Sequence, residues 1–293
     1  MEFREFQNLI YSEYIPTMYE IYNNEKVKPE FRSYCYSGVE LYYEVFKLIK
    51  PFIKENSSFS DIGAYPGTFL RIIKFLLKGK NIDLNGLGLV CEEDEIQKYN
   101  KNADNNSLTK SIKTNLNFKD YMKENEGINF MDLNLDYCNS HLKKFSAQDL
   151  NKTFDIVTCM ETIEHLHTPY LLFDKLNQIT NQGGVCVVET NNVAYLKGII
   201  SLLRGGSNLD MELANKYSLN CRSIKHPHVR FYSLKEINIL FAKSGFRILK
   251  SYAYNWGYPL SVLRGKRKLQ ERFKRINFIN RFKSHIIVLA QKI

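Results

Sequence analysis

Glu161, Glu164 and His165 form the pattern E-x-x-E-H directly after the apolar run FDIVTCM at 154–160. Imidazole ionises near neutrality, so His165 is a candidate general base, and Glu164 can orient it or face a substrate. The structural alternative is that His165 caps a strand-to-helix turn while Glu164 binds backbone N–H groups. A second segment, Asp61-Ile62-Gly63-Ala64-Tyr65-Pro66-Gly67, closes another apolar run. Gly63 and Gly67 let backbone approach a ligand closely, and Pro66 suits the first turn of a helix. In an open α/β sheet, ligands bind beyond the carboxyl ends of the strands. The spacing G-x-x-x-G differs from the G-x-G-x-x-G that cradles a dinucleotide pyrophosphate. Read alone, it also fits an ordinary turn between strand and helix.

The elements that would carry these residues alternate. FSDIGAY, TFLRIIKFLLK and LNGLGLVCE read as strand, helix and strand, the order of a parallel βαβ unit. INFMDL at 128–133 and TFDIVTCM at 153–160 continue the strands; the helix YLLFDKLNQIT follows, and a turn at NQGG leads into a strand VCVVET at 185–190. Ser233 and Glu236 form an S-x-x-E capping box and Gly245 follows the last turn, which fixes both ends of one helix. FRILKSYAY and SHIIVLAQK read as closing strands. At the start of the chain, Val39, Tyr42, Tyr43, Phe46 and Ile49 have helical spacing up to Pro51. The expected organisation is a helical N-terminal extension at 1–58 and an α/β domain at 59–293. An insertion at 193–225, too long for an ordinary connection, covers the active-site end, and a basic insertion occupies 255–283.

The 293 residues, 44% hydrophobic and 25% charged, suffice for one sizeable core. The six cysteines are scattered with no C-x-x-C pair, which argues against a zinc site and for reduced thiols in a cytoplasmic protein. The start MEFREFQNLIYSEY is acidic where a signal peptide is basic, and no transmembrane run is expected. Net charge is +10, and residues 264–283 hold nine Lys or Arg against Glu271 alone. That cluster can hold phosphates or touch an anionic membrane surface, and equally it can be a solvated face.

The 61–67 segment resembles motif I of class I S-adenosylmethionine-dependent methyltransferases, with Tyr65 where most members keep a middle glycine. The 154–169 segment is similar to motif IV and its sequel in the branch containing the ubiquinone-biosynthesis O-methyltransferases. HPHVRFYSLKEINILFAKSGF resembles the segment that closes the same family's core. Together these matches cover roughly 59–192 and 226–254. The resemblance implies a Rossmann-like α/β fold: a seven-stranded methyltransferase sheet, mostly parallel with an antiparallel last strand. It also implies S-adenosylmethionine held by Asp61, Gly63, Ala64, Tyr65, Gly67, Glu92, Asp132 and Leu133. Glu92, with Glu93 as the neighbouring choice of register, would take the ribose hydroxyls, and Asp132 the adenine amino group.

Methyl transfer is an in-line displacement that needs positioning and removal of the acceptor proton, which gives His165 and Glu164 catalytic roles. E-x-x-E-H with a distant histidine also resembles the small-RNA 2′-O-methyltransferases, whose two glutamates and two histidines hold a divalent metal. By that resemblance Glu161, Glu164, His165 and His228 would hold a Mg²⁺-type ion. His141, His167 and His226 have no such pattern, and Trp256 can line an acceptor pocket or belong to the core. The leading expectation is O-methylation of a small-molecule or sugar hydroxyl, a glycan precursor included. The rivals are a metal-assisted RNA 2′-O-methyltransferase, favoured by the basic segment but lacking an RNA-binding module, and an inactive cofactor-fold binding protein. Peripheral membrane contact through 264–283 stays open.

Overall fold

The computed structural model describes residues 1–14, 29–65, 67–88, 118–133, 152–207, 228–255 and 279–293. Expectations resting on Pro66, Glu92, Glu93, His141, His226, Trp256, Cys35, Cys91, Cys138, Cys221, the side chain of Asp132, 208–225 and the basic residues 264–278 lie outside the described residues and side chains.

Seven strands form one sheet: β1 Ser58–Ile62, β2 Asp83–Gly88, β3 Ile128–Asp132, β4 Phe154–Met160, β5 Thr180–Asn191, β6 Phe246–Tyr254 and β7 His285–Lys292, in the order β3-β2-β1-β4-β5-β7-β6. β1 with β2 and β2 with β3 are parallel, whereas β7 runs antiparallel to both β5 and β6. This is the expected mostly parallel sheet with an antiparallel last strand. The chain forms two compact units, Met1–Val157 and Thr158–Ile293.

The first unit begins with α1, Phe3–Leu9, a π-helical turn at Ile10–Tyr14 and α2, Pro29–Ile49. Of the apolar positions read in the sequence, Val39, Tyr42, Phe46 and Ile49 are buried on α2 and Tyr43 is half-buried; Val45 completes the buried face. Tyr42 stacks on Phe69 at 5.6 Å, and Phe69 belongs to α3, Thr68–Leu76. Each such aromatic stabilises by about 1.5–3 kcal/mol through burial. A buried ion pair, Arg71 Nε to Glu126 Oε1 at 3.2 Å, ties α3 to α4, Phe118–Glu126. Ser58 N donates to Asp155 Oδ2 at 2.9 Å and Asp155 N donates to Ser58 Oγ at 3.1 Å, which fixes the start of β4 beside β1.

In the second unit, α5 (Pro169–Ile179) leads directly into β5. The expected turn at NQGG is absorbed into the strand, with Gly183 at φ 76° in an otherwise extended run. Glycine takes that dihedral without steric cost, so no separate turn is needed. Val185–Val188 are buried, as expected of a strand covered on both faces. α6, Leu196–Leu203, occupies part of the segment read as an insertion. α7, Leu234–Lys243, has the expected capping box: Glu236 N donates to Ser233 Oγ at 3.2 Å and Ser233 N donates to Glu236 Oε2 at 2.8 Å. Phe241 stands edge-on to Phe173 at 4.9 Å and to Phe246 at 5.4 Å, which seals α7 and α5 over the sheet. No helix among the described residues is long and apolar enough to cross a membrane.

Candidate active site: a donor loop and a carboxyl–imidazole cluster

In the first unit the loop after β1 is built mainly by backbone. Gly63 N donates to Leu87 O at 2.8 Å and Ala64 N to the same oxygen at 3.4 Å, so the loop is stitched to the end of β2. Leu133 N donates to Gly88 O at 3.2 Å, which brings the end of β3 to the same place. Gly67 sits at φ 84° as the N-cap of α3, and a Cβ there would come within 2.8 Å of Met122 Cε. A side chain at this position would therefore meet both backbone strain and a packed neighbour. Asp61 and Ala64 are buried, and Tyr65 is half-buried. Of the expected donor contacts, Asp61, Gly63, Ala64, Tyr65, Gly67 and Leu133 thus gather where β1, β2 and β3 end. The described part of β2 ends at Gly88, and Glu92 lies outside the described residues.

The second unit carries the cluster. Glu161 leaves β4 at φ 44°, a left-handed conformation that a residue with a Cβ occupies at a cost of about 1–3 kcal/mol. Glu161 N donates to Glu189 O at 3.3 Å. The chain then makes a short 3-10 turn at Ile163–His165, in which Glu164 is fully buried. Val229 N donates to Glu164 O at 2.7 Å, which draws the distant His228 segment to Glu164. The rings of His165 and His228 lie 4.7 Å apart. Ligand atoms of Glu164, His165 and His228 are all within 4.8 Å of one another. Glu161 belongs to a second group defined by the same spacing, with Glu189 and His285.

Burial dominates the electrostatics. It raises the Glu164 carboxyl to about 7, opposed by the hydrogen bond that Thr190 Oγ1 donates to Oε2 at 2.8 Å. Burial likewise raises Glu189 to about 8, against the stabilising hydrogen bond from Tyr254 Oη at 2.7 Å. Glu161 is pushed well above the usual carboxylate range by burial and then by the charges of Glu189 and Glu164. His285 is lowered to about 3, first by burial and then by His228. Buried carboxyls in mutual contact hold protons or a cation in preference to bare charge.

The donor set of Glu164, His165 and His228, one carboxylate and two imidazoles, suits a Mg²⁺-, Mn²⁺- or Zn²⁺-type ion. Glu164 Oε1 is a buried oxygen that no donor reaches, as a coordinating atom would be. Sequence reasoning did not reach Glu189, Thr190, Tyr254 and His285. One signal was available, because an acid is out of place in the buried run VCVVET. His167 contributes to neither group.

Several proteins are similar to this chain. Ubiquinone biosynthesis O-methyltransferase of Psychrobacter arcticus is 29% identical over 96 residues, 32% of this chain and 33% of that protein. The mitochondrial enzyme of the same name from Dictyostelium discoideum is 31% identical over 75 residues, 26% of this chain and 23% of that protein. The chain thus spans a third or less of these relatives' length. The solved structure of magnesium protoporphyrin IX methyltransferase from Synechocystis PCC 6803 with bound SAH is 12% identical, with a TM-score of 0.48 and 98% of each chain covered. The model of the methyltransferase domain family matches residues 39–251, well over half of the chain, so the chain belongs to that family.

Proposed function

We propose that this enzyme methylates a hydroxyl oxygen of a small-molecule or sugar acceptor. The first unit would hold S-adenosylmethionine through Asp61, the Gly63–Gly67 loop and Leu133. The second unit would supply the groups that handle the acceptor proton. The single observation that carries this reading is the approach of Glu164, His165 and His228 to within 4.8 Å at the end of β4. A neutral hydroxyl is a weak nucleophile, and displacement at the methyl carbon requires its proton to leave as the C–O bond forms and the C–S bond breaks. His165 is the base in this scheme, and buried Glu164 positions the site. The similarity to ubiquinone O-methyltransferases supports oxygen as the acceptor atom.

The same three residues favour a second reading, in which they bind a divalent cation with Glu161 alongside. When bound, such an ion would lower the pKa of an acceptor hydroxyl and hold it in place. Glu164 Oε1 supports this, being buried and reached by no donor. The deciding experiment assays a panel of phenols, catechols and sugars with S-adenosylmethionine. Enzyme stripped by a chelator is compared with enzyme resupplied with Mg²⁺, Mn²⁺ or Zn²⁺. Methyl ether products are the expected result. Products methylated only on nitrogen or carbon would refute hydroxyl methylation, and full turnover after rigorous chelation would remove the cation.

A further inference from the structure

The three carboxyl groups of the second unit share one arrangement. Glu164 has Oε2 tied by Thr190 Oγ1 at 2.8 Å, and its Oε1 is buried with no donor. Glu189 has Oε1 tied by Tyr254 Oη at 2.7 Å, and its Oε2 is buried with no donor. Glu161 receives Asn191 Nδ2 on Oε2 at 3.4 Å, while Oε1 lies 3.5 Å from His285 Nε2. His285 is itself held at Nδ1 by Ser284 Oγ at 2.8 Å, which presents Nε2 to Glu161. In protein metal sites, ligating carboxylates and imidazoles are commonly fixed this way, one atom by a neighbouring hydrogen bond and the other toward the ion.

Charge points the same way. Among the described residues no lysine or arginine pairs with Glu161, Glu164 or Glu189. A cation at Glu161, Glu189 and His285 would take the place of the protons that buried carboxyls otherwise hold. Glu161 feels the charges of both other carboxyls, while its ligand atom groups with those of Glu189 and His285.

We propose that Glu161, Glu189 and His285 form a second divalent-cation position beside the one at Glu164, His165 and His228. This rests on the cation reading above. The ligands are two carboxylates and one imidazole, a set suited to Mg²⁺ or Mn²⁺ and tolerant of Zn²⁺. A paired centre would offset the charge of all three carboxylates and give an acceptor bearing two adjacent oxygens a place for each.

The test uses the full chain stripped of metal and dialysed against micromolar Mn²⁺, with bound manganese measured per chain and the electron paramagnetic resonance spectrum recorded. The wild type is expected to retain two Mn²⁺ with a spin-coupled signal. Glu189→Gln, which preserves volume and the Tyr254 hydrogen bond, is expected to retain one Mn²⁺ with an uncoupled six-line signal. One Mn²⁺ in the wild type, or two in Glu189→Gln, overturns the second position and leaves the first standing. No Mn²⁺ in the wild type removes the cation reading as well.

Discussion

The donor loop and the carboxyl–imidazole cluster sit at strand ends but are made in opposite ways. The loop is mainly backbone: its amides are stitched to Leu87, and glycine supplies its turns. The cluster is side chain throughout, gathered from the end of β4, the 3-10 turn, β5, the His228 segment and the start of β7. A site made of backbone tolerates little change of shape, whereas one made of side chains tolerates little change of chemistry. The two should therefore fail differently when mutated.

His165→Ala should lower turnover by about 10²–10⁴-fold, the usual worth of a positioned base, while calorimetry finds S-adenosylmethionine binding unchanged. Parallel loss of binding would erase the functional distinction between the regions. Asp61→Ala should do the reverse, weakening the cofactor by roughly 10–100-fold, about 1.5–3 kcal/mol for a lost charged hydrogen bond, with metal uptake intact. A smaller effect is expected of Gly67→Ala, which forces a Cβ into a left-handed turn against Met122. It should cost about 1–3 kcal/mol in chemical unfolding, and an unaltered midpoint would mean that the loop is softer than its geometry implies.

The cluster also makes stability depend on pH. Glu189 sits near 8 when folded against an ordinary 4.5, so the folded, metal-free chain binds more protons than the unfolded chain between those values. Stability should then fall as pH rises from about 5 to 8, and Glu189→Gln should flatten that slope. A metal-free wild type that gains stability over this range would contradict the buried, donor-poor setting of the carboxyls. Ser233→Ala, far from either chemistry in role, should cost only about 1 kcal/mol through the lost helix cap.

The contrast also explains what could be read from the chain alone. The strands, the capped helix 234–243 and the loop glycines are local patterns of apolar period, cap residues and turn residues. Glu161, Glu164 and His165 were legible because they fall within five residues as E-x-x-E-H, and His228 because it precedes the helix capped by Ser233. Glu189 and His285 were not, because their partnership exists only once β5 and β7 pair with Asn191 opposite His285. Nothing local in SHIIVLAQK marks its histidine as facing a glutamate. The length of β5 was misread for a related reason, since glycines that usually signal a turn also fit an extended run with one unusual dihedral.

The left-handed backbone of Glu161 carries a final implication. At that bend the chain spends folding energy on a side chain it would hold more comfortably as none at all. Glu161→Gly would relax the dihedral and remove a buried, crowded carboxyl in one stroke, yielding a protein that melts later and performs worse. Heat resistance and competence are set against each other at this residue, and a screen for sturdier variants would find the damage attractive.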